Sequence, residues 1–211
     1  MDTRGKIITS AIKVFAVKGK HGARMEEIAA DAGINKAMLY YYYSTKNNLY
    51  KEVLAQIVKD HGCFIHERMK EAMSSSTDPL KILRVFAGVH LEAFMKDENR
   101  TKVIIEALSS QPKDMAEAVR MKVCEKGAPV MFDVIREGIK KKLFRDIDPR
   151  QLLISIVGMN MIYLAAKPMA EALLDFRDER EQQSFLKSRE HSIIDLVLNG
   201  ILLRKGQSCA H

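Results

Sequence analysis

Cysteine, proline and long apolar runs are all scarce in this 211-residue chain, and each scarcity removes a class of protein. Cys63, Cys124 and Cys209 are odd in number and unrelated in spacing. They argue against a disulfide framework and point to free thiols. No apolar run reaches the roughly 18–20 residues that span a bilayer, so no membrane partner is expected. The first residues, Met1 to Lys6, have no apolar signal core behind them, and a cytoplasmic location is expected. With 5 prolines and 11 glycines the chain has no low-complexity tract beyond a short serine run. It also lacks a phosphate-cradling glycine loop, a zinc signature and a nucleophile motif, so neither catalysis nor a cofactor is expected. His61, Cys63 and His66 come nearest to a metal set, but on a helix they point in widely separated directions. No metal is expected.

What remains is a globular composition, 47% hydrophobic and 29% charged, with a net charge of +7. Its distribution is uneven. Residues 1–50 carry eight Lys/Arg (Arg4, Lys6, Lys13, Lys18, Lys20, Arg24, Lys36, Lys46) against four acids (Asp2, Glu26, Glu27, Asp31), a balance of +4. Charge alone fits a phosphate-binding surface or an ordinary solvated face.

Nearly every segment has helical period, and no alternating run suggests a strand, so the fold is all-α. Ile8, Ala11, Ile12 and Phe15 form a first stripe, with Gly19 placed to stop the helix. Met25 to Ala32 is a short second helix ended by Gly33. Asn35 caps a third running to about Tyr43, and Thr45 caps a fourth running from Lys46 to about Met73. After the break at Ser74–Pro79, helices are expected over 79–96, 100–109 and 113–142, the last kinked at Gly127-Ala128-Pro129. A further helix starts at Asp148-Pro149 and is interrupted at Lys167-Pro168, and a final one runs from about Asp178 to Leu203. The expected organisation is a DNA-binding domain at 1–47, a helical domain at 48–205 and a loose tail at 206–211.

Helix, glycine turn, helix is how a small domain presents one exposed helix to the major groove. Five of the six tyrosines fall between Tyr40 and Tyr50. With Leu39 inward and about 100° per residue, Tyr42 and Tyr43 lie within roughly 60° of the core direction. Ala37, Met38, Tyr40 and Tyr41 face outward, and Lys36 projects from the first turn. Tyrosine hydroxyls can bond phosphate oxygens, while Lys36 can reach guanine O6/N7 or a phosphate. Met38 and Ala37 can touch a thymine methyl. Lys46 opens the fourth helix, where free backbone N–H groups already favour a phosphate. On its own, the tyrosine run would equally suit a dimer or domain interface.

Ile28-Ala29, Gly33-Ile34, Leu39-Tyr40 and Ser44-Thr45-Lys46, at these spacings, resemble the N-terminal domain of the tetracycline-repressor (TetR) family of bacterial regulators. The resemblance covers residues 5–50. Farther on, Leu143-Phe144-Arg145-Asp146-Ile147-Asp148-Pro149 is similar to the family's turn before its penultimate helix. It implies a three-helix helix-turn-helix DNA-binding domain joined to a larger helical effector-binding and dimerisation domain. Matching positions implicate Arg24, Met25, Lys36, Ala37, Met38, Tyr40, Tyr41, Tyr42 and Lys46 in DNA contact, so for Tyr42 the resemblance and the helical wheel disagree. The chain departs from the family pattern at Ala23-Arg24, where a capping Thr or Ser is usual, and at Met38, where a small residue is common.

The resemblance further implies a double-stranded DNA operator, a homodimer through the last two long helices, and a small effector. For the dimer the residues offer Ile154, Val157, Gly158 and Met161 on one helix. Ile193, Ile194, Leu196, Val197, Leu198, Ile201 and Leu202 lie on the other, where Gly200 allows close approach. A purely intramolecular core is the competing reading. Phe86, His90, Phe94, Met131, Phe132, Met159 and Tyr163 are candidates to line a mostly apolar effector pocket, or to form plain core. His90 is either the pocket's polar contact or a satisfied core histidine. The expected activity is a repressor that leaves a palindromic operator when the effector binds. An effector-independent regulator or an activator is the alternative, and an enzyme is a more distant one.

Overall fold

The computed structural model describes residues 2–122 and 128–202. Among them are eleven helices, no strand, and one isolated bridge between Phe144 and Leu202. In chain order these are α1 (Thr3–Gly22), α2 (Met25–Asp31), α3 (Lys36–Tyr42), α4 (Lys46–Ser75), α5 (Pro79–Met95) and α6 (Glu98–Ser110). Then come α7 (Pro112–Lys122), α8 (Ala128–Lys140), α9 (Pro149–Ala165), α10 (Lys167–Leu174) and α11 (Glu179–Ile201). The helices group into two compact units. One holds the described residues up to Cys63 together with those from Phe94 through α7, and the other holds Phe64–Ala93 and the described residues from α8 onward.

Side-chain caps set most helix starts. Asp2 accepts from the Gly5 N–H at 2.8 Å, Asn35 from Met38 at 2.7 Å and Thr45 from Asn48 at 3.1 Å. Asp148 and Asp178 do the same for α9 and α11, accepting from Arg150 and Glu181, both at 2.9 Å. Each occupies an orphan N–H of a first turn.

In the first unit, α1 buries Ile7, Ala11, Ile12 and Phe15, with Ile8 of the expected stripe only half-buried. They pack with Ile28 of α2, Leu39 of α3 and Leu49, Tyr50, Val53 and Leu54 of α4 in the core. The Phe15 and Tyr50 rings meet edge to face at 5.0 Å, an arrangement favoured by the ring quadrupole. The Tyr50 hydroxyl donates to Glu106 of α6 at 2.5 Å, and Lys20 donates to Gln111 at 2.8 Å and Asp114 of α7 at 2.9 Å. The helix-turn-helix is thereby fastened to α6 and α7.

Gly19 breaks the regular helix of α1 where the sequence placed its stop. It adopts φ 64° and ψ 175°, a glycine conformation, and the helix resumes beyond it to Gly22. The second unit is centred on Leu83 and Phe86 of α5, Met131 and Ile135 of α8, Leu152 and Ile156 of α9, and Ile193, Ile194, Val197, Leu198 and Ile201 of α11.

Within the 113–142 stretch, α7 and α8 flank residues 123–127, which lie outside those described, and the kink expected at Gly127-Ala128-Pro129 begins there. Pro129 lies in the first described turn of α8. Lys167-Pro168, expected only to interrupt a helix, opens one of its own, α10. Cys63 is an exposed free thiol; Cys124, Cys209, Leu203 and the 206–211 tail lie outside the described residues.

Candidate nucleic-acid interface

The turn that aims α3 is built from Gly33 in the left-handed region (φ 67°), with its N–H on Ala30 O at 3.1 Å and the Ile34 N–H on Ala29 O at 3.0 Å. A β-carbon would be strained there, so glycine is required by the turn. Asn35 then starts α3, a helix of two turns that gives the core only Leu39, fully buried. Tyr43 follows in extended conformation, 6% exposed, and Arg4 Nε donates to its hydroxyl at 3.2 Å. Burial raises the Tyr43 pKa, with Arg4 opposing it.

The rest of α3 is open. Lys36, Ala37, Met38, Tyr40 and Tyr41 are exposed as the helical wheel predicted, Tyr41 at 85%. Tyr42 is exposed too, at 42%, with its ring edge to face with Tyr41 at 5.6 Å. The wheel had turned Tyr42 toward the core. A two-turn helix buries a single residue line, narrower than the arc assumed, so Tyr42 joins the outer surface.

Lys36 forms an ion pair with Glu26 of α2 and lies 5.8 Å from the Tyr40 ring centroid. Its pKa is raised, first by the hydrogen bond to Glu26, and the Glu26 carboxyl is lowered by the same bond. Glu26 was not among the expected site residues; its partner is ten positions away on another helix, which no local spacing reveals. Lys46, expected as a phosphate anchor, uses its ammonium to bond the carbonyls of His21 at 3.0 Å and Ala23 at 2.9 Å. It staples the start of α4 to the α1–α2 turn.

At the start of α2, Arg24 is exposed and supplies no side-chain cap. Glu27 provides half of a capping box, accepting the Arg24 N–H at 3.3 Å. Met25 departs from the expected contact set: its side chain is 5% exposed, in the head's own core. What it can offer DNA is a first-turn backbone N–H.

Of the effector candidates, the second unit brings four together. The Phe86 ring is 5.9 Å from His90, the Asn160 amide nitrogen is 3.2 Å from His90 Nδ1, and Arg189 lies 4.9 Å from the Tyr163 ring and donates to the Met159 carbonyl at 2.6 Å. Met131 is in the core cluster with Phe86, and Phe132 is half-buried. Phe94 is elsewhere, in the first unit, stacked on His61 at 4.7 Å. Asn160 and Arg189 were missed; a lone Asn in an apolar run was the one signal available. A separate groove of about 370 Å³ beside Met73, Pro79 and Val134 is lined by none of the seven.

The expected dimer face is narrower than the apolar pattern implied. Ile193, Ile194, Val197, Leu198 and Ile201 are consumed by the core of their own unit. Left exposed are Ile154 and Ile162 of α9, each at 62%, and Leu196 of α11 at 69%, with Gly158 and Gly200 open beside them. Among the described residues no single helix is long and apolar enough to cross a membrane.

Comparison with known proteins places this architecture. Residues 7–53 match the family model described as bacterial regulatory proteins, tetR family, and residues 79–197 match the tetracyclin repressor-like C-terminal domain. The HTH-type transcriptional regulator RutR of Escherichia coli K12 is 27% identical over 201 residues, covering 92% of this chain and 88% of that protein. The HTH-type transcriptional repressor NicS of Pseudomonas putida is 25% identical, covering 94% and 92%. Among solved structures, FadR of Bacillus subtilis in complex with stearoyl-CoA superposes with a TM-score of 0.70 at 20% identity, covering 93% and 98%.

Proposed function

Since the chain belongs to the tetR family of bacterial regulatory proteins, and is a transcriptional regulator, we propose that it is a repressor released from a palindromic operator by a small effector. Residues 1–47 read DNA, and residues 48–205 bind the effector and hold a homodimer through α9 and α11. It acts in the cytoplasm and has no catalytic role. The observation that carries the DNA reading is the split surface of α3. Lys36, Ala37, Met38, Tyr40, Tyr41 and Tyr42 are exposed on a helix that Leu39 anchors. Tyr40, Tyr41 and Tyr42 contact phosphates, as does Arg24, while Lys36, Ala37 and Met38 meet base edges. Lys46 acts by holding the α4 N-terminus, a phosphate site, against the turn before α2.

Two further features support the rest. The exposed line of Ile154, Ile162 and Leu196 is an apolar surface that a twofold copy can cover. The named relatives include a repressor, and the superposed FadR structure carries stearoyl-CoA. Fluorescence anisotropy with labelled operator across a salt series tests the proposal. Log affinity should fall linearly with log salt, at about 0.9 per phosphate neutralised. A flat response would remove the phosphate-dominated interface. Failure of every apolar compound to displace the operator would instead leave an effector-independent regulator.

A further inference from the structure

Buried polar atoms in folded proteins find partners almost without exception. In the second unit three do not: Asn160 Oδ1, where α9 meets α5, and the Tyr163 hydroxyl and Arg189 Nε, where α9 meets α11. Asn160 is 1% exposed and Tyr163 5%. The two stand three residues apart on the inward line of α9, in continuation of buried Ile156. Asn160 spends its amide N–H groups on the Ala87 carbonyl at 3.1 Å and on His90, leaving its oxygen as an acceptor without a donor. The Arg189 guanidinium reaches from α11 to α9, one nitrogen on the Met159 carbonyl and its central carbon 4.9 Å from the Tyr163 ring centroid.

No carboxylate among the described residues pairs with Arg189, and burial lowers its pKa, with Tyr163 acting in the opposite direction. Glu171, the acid that helps burial raise the Tyr163 pKa, is itself engaged: it accepts from Gln182 and lies 3.8 Å from Lys167. A half-buried cation without an anion lies over the ring of a buried phenol without an acceptor, which leaves two unused donors on neighbouring side chains. Phe185, 5.8 Å from Tyr163, and Phe176 behind it at 5.3 Å supply an apolar wall.

We propose that Arg189 and Tyr163 receive the carboxylate of a small organic acid, whose apolar body lies against Phe185 and offers a hydrogen-bond donor to Asn160. The proposal rests on the effector reading above and names the chemistry of its ligand. A guanidinium N–H and a phenolic O–H both donate, and the guanidinium charge favours a carboxylate over a neutral amide or alcohol, which accepts without a charge. The ligand is favoured over a second copy of the chain by direction. Ile154, Gly158 and Ile162 mark the outward side of α9, and Asn160 lies about two residues, some 200°, from Gly158 and Ile162.

The test is a thermal-shift titration of the full chain with benzoate, phenylacetate, mandelate and octanoate, each beside its neutral amide. At least one acid should raise Tm with concentration, and its amide should bind at least roughly tenfold more weakly. Tyr163→Phe and Arg189→Gln should each weaken that acid by roughly tenfold. Ligand-free Tyr163→Phe should be no less stable than the parent, because it deletes a hydroxyl that has no partner. Equal binding of acids and amides overturns the proposal, as does a destabilised ligand-free Tyr163→Phe. Sedimentation showing that Arg189→Gln splits a dimer without affecting acid binding overturns it too, in favour of a partner copy. If neutral apolar compounds stabilise the protein and acids do not, this inference fails while the effector reading stands. If nothing in either set shifts Tm, both fail.

Discussion

Tyr40 and Lys36 sit on one exposed helix, yet their chemistry divides them. A tyrosine hydroxyl on a phosphate fixes register, whereas a lysine at the helix start can reach a base edge. Tyr40→Phe should therefore weaken binding to every sequence by about 1 kcal/mol, a lost hydrogen bond. Lys36→Ala or Met38→Ala should change the preferred base at one position by roughly tenfold. Competition binding with single-base operator variants separates the two effects, and uniform losses from all three variants would refute the division. Glu26 adds a second expectation. It holds Lys36 in an ion pair and sits beside the exposed surface of α3. Glu26→Gln should free the lysine and remove a like charge, raising operator affinity several-fold at low salt and little at high salt. A variant that binds no better at low salt would show that Lys36 does not exchange Glu26 for DNA.

At the scale of elements, the caps carry a pH signature. Hydrogen bonding from Arg150 draws the Asp148 carboxyl from 3.8 down to about 2. The folded state thus binds fewer protons here than the unfolded one, so the contribution is complete above about pH 4 and fades as pH falls toward about 2. The melting temperature should drop across that window, and by less in Asp148→Asn, which keeps a capping acceptor but has nothing to protonate. An equal drop in both proteins would place the effect on other carboxylates.

Most of this level was legible in the sequence. Asn35, Thr45, Asp148 and Asp178 stand where caps stand, and Gly33 marks the turn. What escaped is non-local. Lys46 reaches carbonyls more than twenty residues away, and the buried side of Met25 depends on how α2 packs. Tyr42 was misplaced because a wheel gives direction and says nothing of how wide a face the neighbours cover. The Tyr163–Arg189 contact needs α9 and α11 already side by side, and the Asn160–His90 contact needs α9 against α5.

For the whole molecule, a single short helix per subunit binds one half-site weakly, so affinity depends on two copies held in register. Ile162→Asp buries a charge in any twofold contact made by the exposed face of α9. Sedimentation should then find monomer, with the helical circular dichroism retained and operator affinity reduced by about two orders of magnitude or more. An Ile162→Asp protein that stays dimeric would move the interface elsewhere.

If this chain reads DNA as a symmetric pair through α3, selection of bound duplexes from a random pool by the full chain should enrich an inverted repeat, its half-sites about one helical turn or a multiple apart. Enrichment of an unsymmetric site, or of no sequence at all, would contradict that reading.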